Sequence, residues 1–388
     1  MTRTTPRTLA LASAAALTLA LSACATEEAP DAPASTTDDT ASDDTAAEGS
    51  TDESTGDDAD GSTASGPVVA PPPAAEGDGT LTLYSGRNEE LVQPVLDQLT
   101  ADTGIEVEVR YADTAAMAAQ LLEEGDNSPA EAFLAQDAGA LGAVSAQGLL
   151  QPLPAATLDL VPDTYESADG TWVGLTGRSR VLVYNKDAVS AEELPDSVAE
   201  LTGEEWAGRV GIAPTNASFQ AFVTAMRVLE GDDVARQWLA DMAANDPQIR
   251  EKNGMIVADV DSGAIDAGLV NHYYLYELAE EQGVAPEDLN AALHFFPAGD
   301  TGALVNISGI GLVGEQADGD AQALVDYLLS EAGQTYFVEK TFEYPMVEGI
   351  NPPAGLPALD ELEVPDIDLN DLEDLQTTIA MITEAGLL

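Results

Sequence analysis

The chain of 388 residues contains one cysteine, two histidines and 13 lysines and arginines, and only 5% of it is aromatic. The single thiol, Cys24, excludes an internal disulfide and any metal site built from cysteine. Two imidazoles, His272 and His294, leave few general bases. No Ser-His-Asp spacing, nucleophile elbow or zinc signature accompanies them, which argues against a hydrolase and against an enzyme generally. The scarcity of cations excludes general nucleic-acid binding, which needs a basic footprint. Against the 13 basic residues stand 70 acidic ones, a formal net charge of −57. Acidity spread so evenly reads as a solubility or salt-tolerance trait.

Long apolar runs are scarce too. The one from Leu9 to Leu21 follows Arg3 and Arg7, and its length suits the core of a signal peptide better than a membrane span. It ends in Leu21-Ser22-Ala23-Cys24, which resembles a bacterial lipobox. Residues 1–23 are therefore expected to be a lipoprotein signal peptide and Cys24 the lipidated first residue of the mature chain. Residues 24–78 carry fifteen acidic side chains, no lysine or arginine, and the run Pro71-Pro72-Pro73. Such a segment cannot bury enough apolar surface to fold and repels itself, so a solvated tether is expected. The membrane would be met only through the lipid, at the outer face of the cytoplasmic membrane.

Residues 79–388 hold the other 55 acidic residues and 11 basic ones, and are long enough for two domains. Thr80 to Tyr84 reads as a strand, and Leu91, Val92, Val95, Leu96 and Leu99 fall at helical spacing. A strand from Ile105 to Tyr111, a helix from Ala115 to Glu124 and an apolar strand from Ala132 to Ala135 follow. This β-α-β-α-β order predicts a parallel sheet flanked by helices, with ligands at the carboxyl ends of its strands. Trp172 to Tyr184 interrupts the alternation as one long extended stretch. A second set then begins, with a strand at Arg209 to Ala213, helices near 217–230 and 233–244, and a strand at Ala267 to Val270. Two such sets joined by extended segments predict two lobes with a cleft between them, the plan of a hinged binding protein.

At the end of the last strand stands Asn271-His272-Tyr273-Tyr274. Adjacent residues opening a helix do not share one face, so two neighbouring phenols make a poor core stripe. On the plainer reading one ring points inward and one outward. On the other, both oxygens converge above the sheet, where as phenolates they would suit a hard, highly charged cation.

The domain resembles the ferric-iron-binding solute-binding proteins of bacterial ABC importers. The resemblance rests on Tyr84-Ser85-Gly86-Arg87, Ser128-Pro129-Ala130-Glu131, Ser179 to Asn185, Pro214-Thr215, Asn271 to Tyr274, Gly302 to Val305 and Glu343-Tyr344-Pro345, in that order. It implies an α/β, two-lobed periplasmic-binding-protein fold of type II, each lobe a sheet flanked by helices, with the ligand cleft between lobes. The first lobe would comprise 79–180 with about 304–354, and the second 181–303 with about 355–388. It further implies a monomer that delivers Fe3+ cargo to ABC permease subunits, with Tyr273 and Tyr274 as metal ligands. Where other members place further ligands, this chain has Asn88, Gln136 and Asn216. Glu89 and Asp137 are the neighbouring carboxylates that would substitute. The family completes its sites with carbonate or phosphate as a synergistic anion, for which Arg178, Asn216, Ala217, Ser218, Asn253, Asn271 and Arg180 are the candidates here. Guanidinium matches a planar oxyanion by paired hydrogen bonds, although Arg180 would equally suit a salt bridge. Asn216 and Ser218 would either bind the anion or cap their helix. The alternative cargo is an iron chelate or a small organic anion held by Arg178.

Overall fold

The structure, a computed structural model, describes residues 77–388 apart from Gln316 and Glu363. The signal segment, Cys24 and the tether as far as residue 76 lie outside the described residues. In the first lobe the strands Thr80–Ser85, Glu106–Tyr111 and Ala132–Ala135 pair in parallel, with Thr80–Ser85 in the middle. Helices Glu89–Thr103 and Thr114–Glu124 make the crossovers. The apolar positions read from the sequence, Val92, Val95, Leu96 and Leu99, are the buried face of the first helix. The sheet is mixed, however, because Val305–Val313 returns from the second lobe and joins Ala132–Ala135 antiparallel. A long-range return of this kind leaves no mark in local periodicity.

The stretch that interrupts the alternation is one strand, Trp172–Asn185, buried at every position except Tyr184. From Trp172 to Ser179 it pairs with Val305–Val313. From Arg180 onward it pairs with Ala267–Asn271 and Ala291–His294 in the second sheet. Within the second lobe its side chains alternate between two cores. Leu182 joins the cluster of Phe219, Phe222 and Trp238, while Val181 and Val183 join that of Ile256, Val260 and Tyr276.

The expectation that 355–388 enters the second lobe as one piece is corrected by the packing. Ile367, Leu369 and Leu372 belong to the first-lobe core, and only Met381, Ile382 and Leu387 pack in the second. Two contacts hold the first portion in place. Trp172 Nε1 donates to Asn370 Oδ1 at 3.0 Å. Gly139 lets the backbone of Leu372 come so close that an added Cβ would meet its carbonyl oxygen at 2.6 Å.

In the second-lobe core Phe222 is fully buried and meets Trp238 edge-on with ring centroids 5.5 Å apart. Phe222→Ala is expected to cost about 3–5 kcal/mol of stability, read as a lower midpoint in chemical denaturation.

Candidate functional site

The cleft between the sheets is lined by Gln136, Asp137, Arg178, Arg180, Asn216, Ala217, Ser218, Asn271, Tyr273, Tyr274, Leu304 and Asn306. Both tyrosines open the helix Tyr273–Gln282 directly after strand Ala267–Asn271. They do not split inward and outward. Their ring centroids lie 4.3 Å apart at an interplanar angle of 32°, and both face the cleft. Burial, then the neighbouring Tyr274 phenol, raises the Tyr273 pKa well above its usual value. Tyr273 is therefore neutral until a strong cation competes for its oxygen.

The two arginines are two positions apart on one strand, so they share a face, but their partners differ. Arg178 Nη2 donates to the carbonyls of Gln136 and, at 2.7 Å, Ile307. Its Nε lies 3.7 Å from Glu343. Glu343 is 2% exposed and takes a paired contact from Arg87 at 2.9 and 3.2 Å. Burial alone would raise the Glu343 pKa, but Arg87 and Arg178 outweigh it and hold the carboxyl below its usual value.

Arg180, 2% exposed, has no carboxylate partner among the described residues. Its Nη1 donates to Ser218 Oγ at 3.2 Å and Asn271 Oδ1 at 3.4 Å, and its Nη2 to the Leu269 carbonyl at 2.9 Å. Its Nε is buried without a partner, and Phe219 and Phe222 lie under the guanidinium at 5.9 and 5.5 Å. Burial pulls its pKa down to about 9, opposed by Tyr274 and Tyr273, so the group stays charged at neutral pH. A buried charge with only neutral neighbours is costly, and an anion in the cleft would relieve it.

Asn216 is the N-cap of helix Ala217–Glu230, its Oδ1 accepting the Ser218 amide at 2.9 Å and the Ser218 hydroxyl at 2.6 Å. Asn253 is fully buried and not part of the lining. Its Nδ2 braces the cluster through Ser218 Oγ at 2.9 Å and Asn216 Oδ1 at 3.3 Å. Asp137 lines the cleft and caps helix Ala138–Ser145, its Oδ1 accepting from the Ala140 amide at 3.0 Å. Burial raises its pKa, while the Ala140 amide and Arg178 act the other way. Glu89 is not brought to the cleft. It is exposed in the first turn of its helix, where its charge acts on Tyr111. Asn88 is likewise exposed, at the N-cap of that helix.

Sequence reasoning missed the charge partner of Arg178. Glu343 stands in a quoted motif, but nothing local links it to Arg87, 256 positions away. The cleft residues Leu304 and Asn306 were missed too. They flank the point where the chain returns to the first sheet, and only the strand pairing reveals that.

Residues 127–374 match the family described as bacterial extracellular solute-binding protein. The chain belongs to that family. It is 34% identical over 317 residues to the Fe(3+)-binding periplasmic protein of Serratia marcescens, covering 81% of this chain and 93% of the relative. The structure of iron-bound HitA from Pseudomonas aeruginosa superposes with a TM-score of 0.72 at 33% identity, over 79% of this chain and 99% of the other. Trichodesmium IdiA (FutA) in complex with iron and citrate ligands gives 0.66 at 27%, over 79% and 99%. The fold is the type II periplasmic-binding-protein fold, and the chain is a solute-binding protein of the transport class, not an enzyme.

Replacing Glu343 by Gln leaves two buried guanidiniums without their counter-charge. The expected loss is about 3–5 kcal/mol, measured by denaturation at pH 7. Because the folded carboxyl has the lower pKa, its contribution is complete above the usual value of 4.5 and fades as pH falls below it. The stability of Glu343→Gln should therefore depend less steeply on pH in that range than that of the wild type.

Proposed function

We propose that this protein captures ferric iron together with an anion outside the cytoplasmic membrane and hands it to an ABC permease. The observation that carries this is the close pair Tyr273 and Tyr274 lining one cleft with the uncompensated Arg180. Two phenolates offset two of the three charges of the ion, and Arg180 adds one back. The filled cleft therefore needs a further negative ligand. Among the lining residues only Asp137 offers a carboxylate, so an anion of the carbonate or phosphate type completes the balance. Arg180, Asn271, Ser218 and Asn216 would hold that anion, with Asn253 bracing them from behind. Arg178 plays the smaller part, because its Nη2 and its charge are already engaged. Names given to relatives support the cargo, since both the Serratia protein and HitA are described by iron.

The mechanism is closure of two lobes about the shared strand, a shift in population driven by ligands that bridge them. A second reading, an iron chelate as cargo, is favoured by one feature: Asn88 and Glu89 face solvent, so the first lobe presents few anionic donors of its own. It has the relative with iron and citrate as its parallel.

Titrating the metal-free protein with Fe3+ in carbonate buffer is expected to produce the visible band of phenolate-iron bonding. The band should be absent in the double variant Tyr273→Phe, Tyr274→Phe. A colourless wild type would refute ferric binding through these residues, and colour only with ferric citrate would favour the chelate. Cys24 is proposed as the lipid attachment point. Cys24→Ser is expected to move the protein from the membrane fraction to the soluble one when cells are fractionated.

A further inference from the structure

The residue before the tyrosine pair is engaged on all sides. His272 is fully buried. Its Nδ1 accepts from the Ser179 amide at 3.1 Å, so its proton lies on Nε2, which donates to the Phe342 carbonyl at 2.9 Å. The His272 amide in turn donates to the Ser179 carbonyl at 3.0 Å. The ring meets Tyr273 edge-on at 5.9 Å and Tyr344 at 4.7 Å.

Each partner belongs to a junction between the lobes. Ser179 is the last residue of the long strand to pair with the first sheet, and Arg180 is the first to pair with the second. Phe342 ends the π-helical turn Phe337–Thr341 and has φ of 55°. With Asp246 it is one of two non-glycine residues in the left-handed region among the described residues. Such turns and left-handed bulky residues persist only where the surroundings enforce them, and they concentrate at functional positions. The Phe342 ring stacks on Tyr276 at 5.7 Å and packs against a second-lobe core. Glu343 joins the buried ion pair, and Tyr344 pairs with Gly177 in the first sheet. Three consecutive residues thus touch both lobes, and His272 grips the first of them.

We infer that His272 is a positioning residue that couples the tyrosine pair to closure of the lobes. Any rotation of the lobes that shifts Phe342 against the second lobe must either break the His272–Phe342 hydrogen bond or move His272 with it. Moving His272 moves Tyr273 and Tyr274, because all three share the start of one helix. The imidazole therefore sets how far the cleft must close before both phenols reach the cargo. This rests on the reading of Tyr273 and Tyr274 as ligands. A plain core histidine would affect stability alone.

The test compares full-length wild-type protein with His272→Asn, His272→Gln and His272→Phe, loaded with Fe3+ as ferric nitrilotriacetate in carbonate buffer. Asn keeps an acceptor near Nδ1 but cannot reach Phe342, Gln keeps a donor near Nε2, and Phe keeps neither. Loss of an outer partner of a metal ligand commonly weakens binding about 10–100-fold. The Asn and Phe variants are thus expected to release iron to a competing chelator at least about tenfold faster, with a shifted phenolate-iron band. The Gln variant should recover most of the wild-type rate. Phe342→Gly tests the same coupling from the other side, because glycine accepts the left-handed backbone and leaves the carbonyl in place while removing the ring. It is expected to release iron faster at a temperature well below its own unfolding transition, and it decides the matter should the His272 variants fail to fold. Wild-type release rates and an unmoved band in His272→Asn, or in Phe342→Gly where the histidine variants do not fold, overturn the coupling. Absence of the band from the wild type overturns the ligand assignment as well, so the two failures are told apart.

Discussion

A single strand, Trp172–Asn185, belongs to both sheets, and most of what the cleft contains follows from that continuity. A strand cannot slip its register without turning every side chain to the opposite face, so the two lobes are held in a fixed phase at the crossing. Arg178 and Arg180 straddle the crossing on one face, each with the neighbours of its own lobe. Ser179 between them turns its backbone to His272 and so to the helix that carries the tyrosines. The return strand crosses beside it, the Arg180 amide donating to the Leu304 carbonyl at 2.8 Å. Hinge, charges and phenols are thus adjacent as a consequence of strand pairing.

The charges are distributed unevenly for a physical reason. Two cations, Arg87 and Arg178, share the one carboxylate of Glu343 in a nearly dry environment. The hydroxyls of Thr176 and Ser308 stand 3.3 and 2.7 Å from Arg87 and help to satisfy its remaining protons. This network balances its charges largely within the protein, although Arg178 Nε, like that of Arg180, is buried without a hydrogen-bond partner. Arg180 has dipoles and aromatic faces but no anion. Hydrogen bonds to neutral oxygens lower the cost of burying such a charge without cancelling it. The asymmetry leaves Arg178 with a carboxylate nearby and Arg180 without one, which is the difference the proposed anion would make good.

Much of this was legible in the sequence where the signal was local. The first helix showed its buried face at the expected spacing, the long strand stood out as an unbroken extended run, and the tyrosine pair marked the start of its helix. What escaped notice depended on pairing across the chain. The antiparallel return of Val305–Val313 and the first-lobe packing of Leu369 and Leu372 have no local signature. The meeting of Glu343 with Arg87 has none either. The close, tilted approach of Tyr273 and Tyr274 was also hidden, because helical spacing alone separates neighbours and only the cleft turns both rings the same way. The same limit explains Glu89 and Asp137. Both acids stand at helix starts in the structure, but one faces solvent and the other borders the cleft.

A strongly acidic protein with a cationic interior is less paradoxical than its net charge suggests. Among the described residues few acidic side chains are buried, and at physiological salt the fields of exposed charges decay within about 8 Å. Inside the cleft the effective dielectric is lower and nearby charges count for more. A lone guanidinium at the cleft wall would repel a bare trivalent cation, but it attracts the anion that such a cation needs. Under the proposed function it would also offset the negative charge of phenolates formed when the metal displaces their protons. On the proposed function the same residue opposes the metal alone and favours the metal with its anion, so the pair of ligands, and not the ion, is the species the cleft would hold.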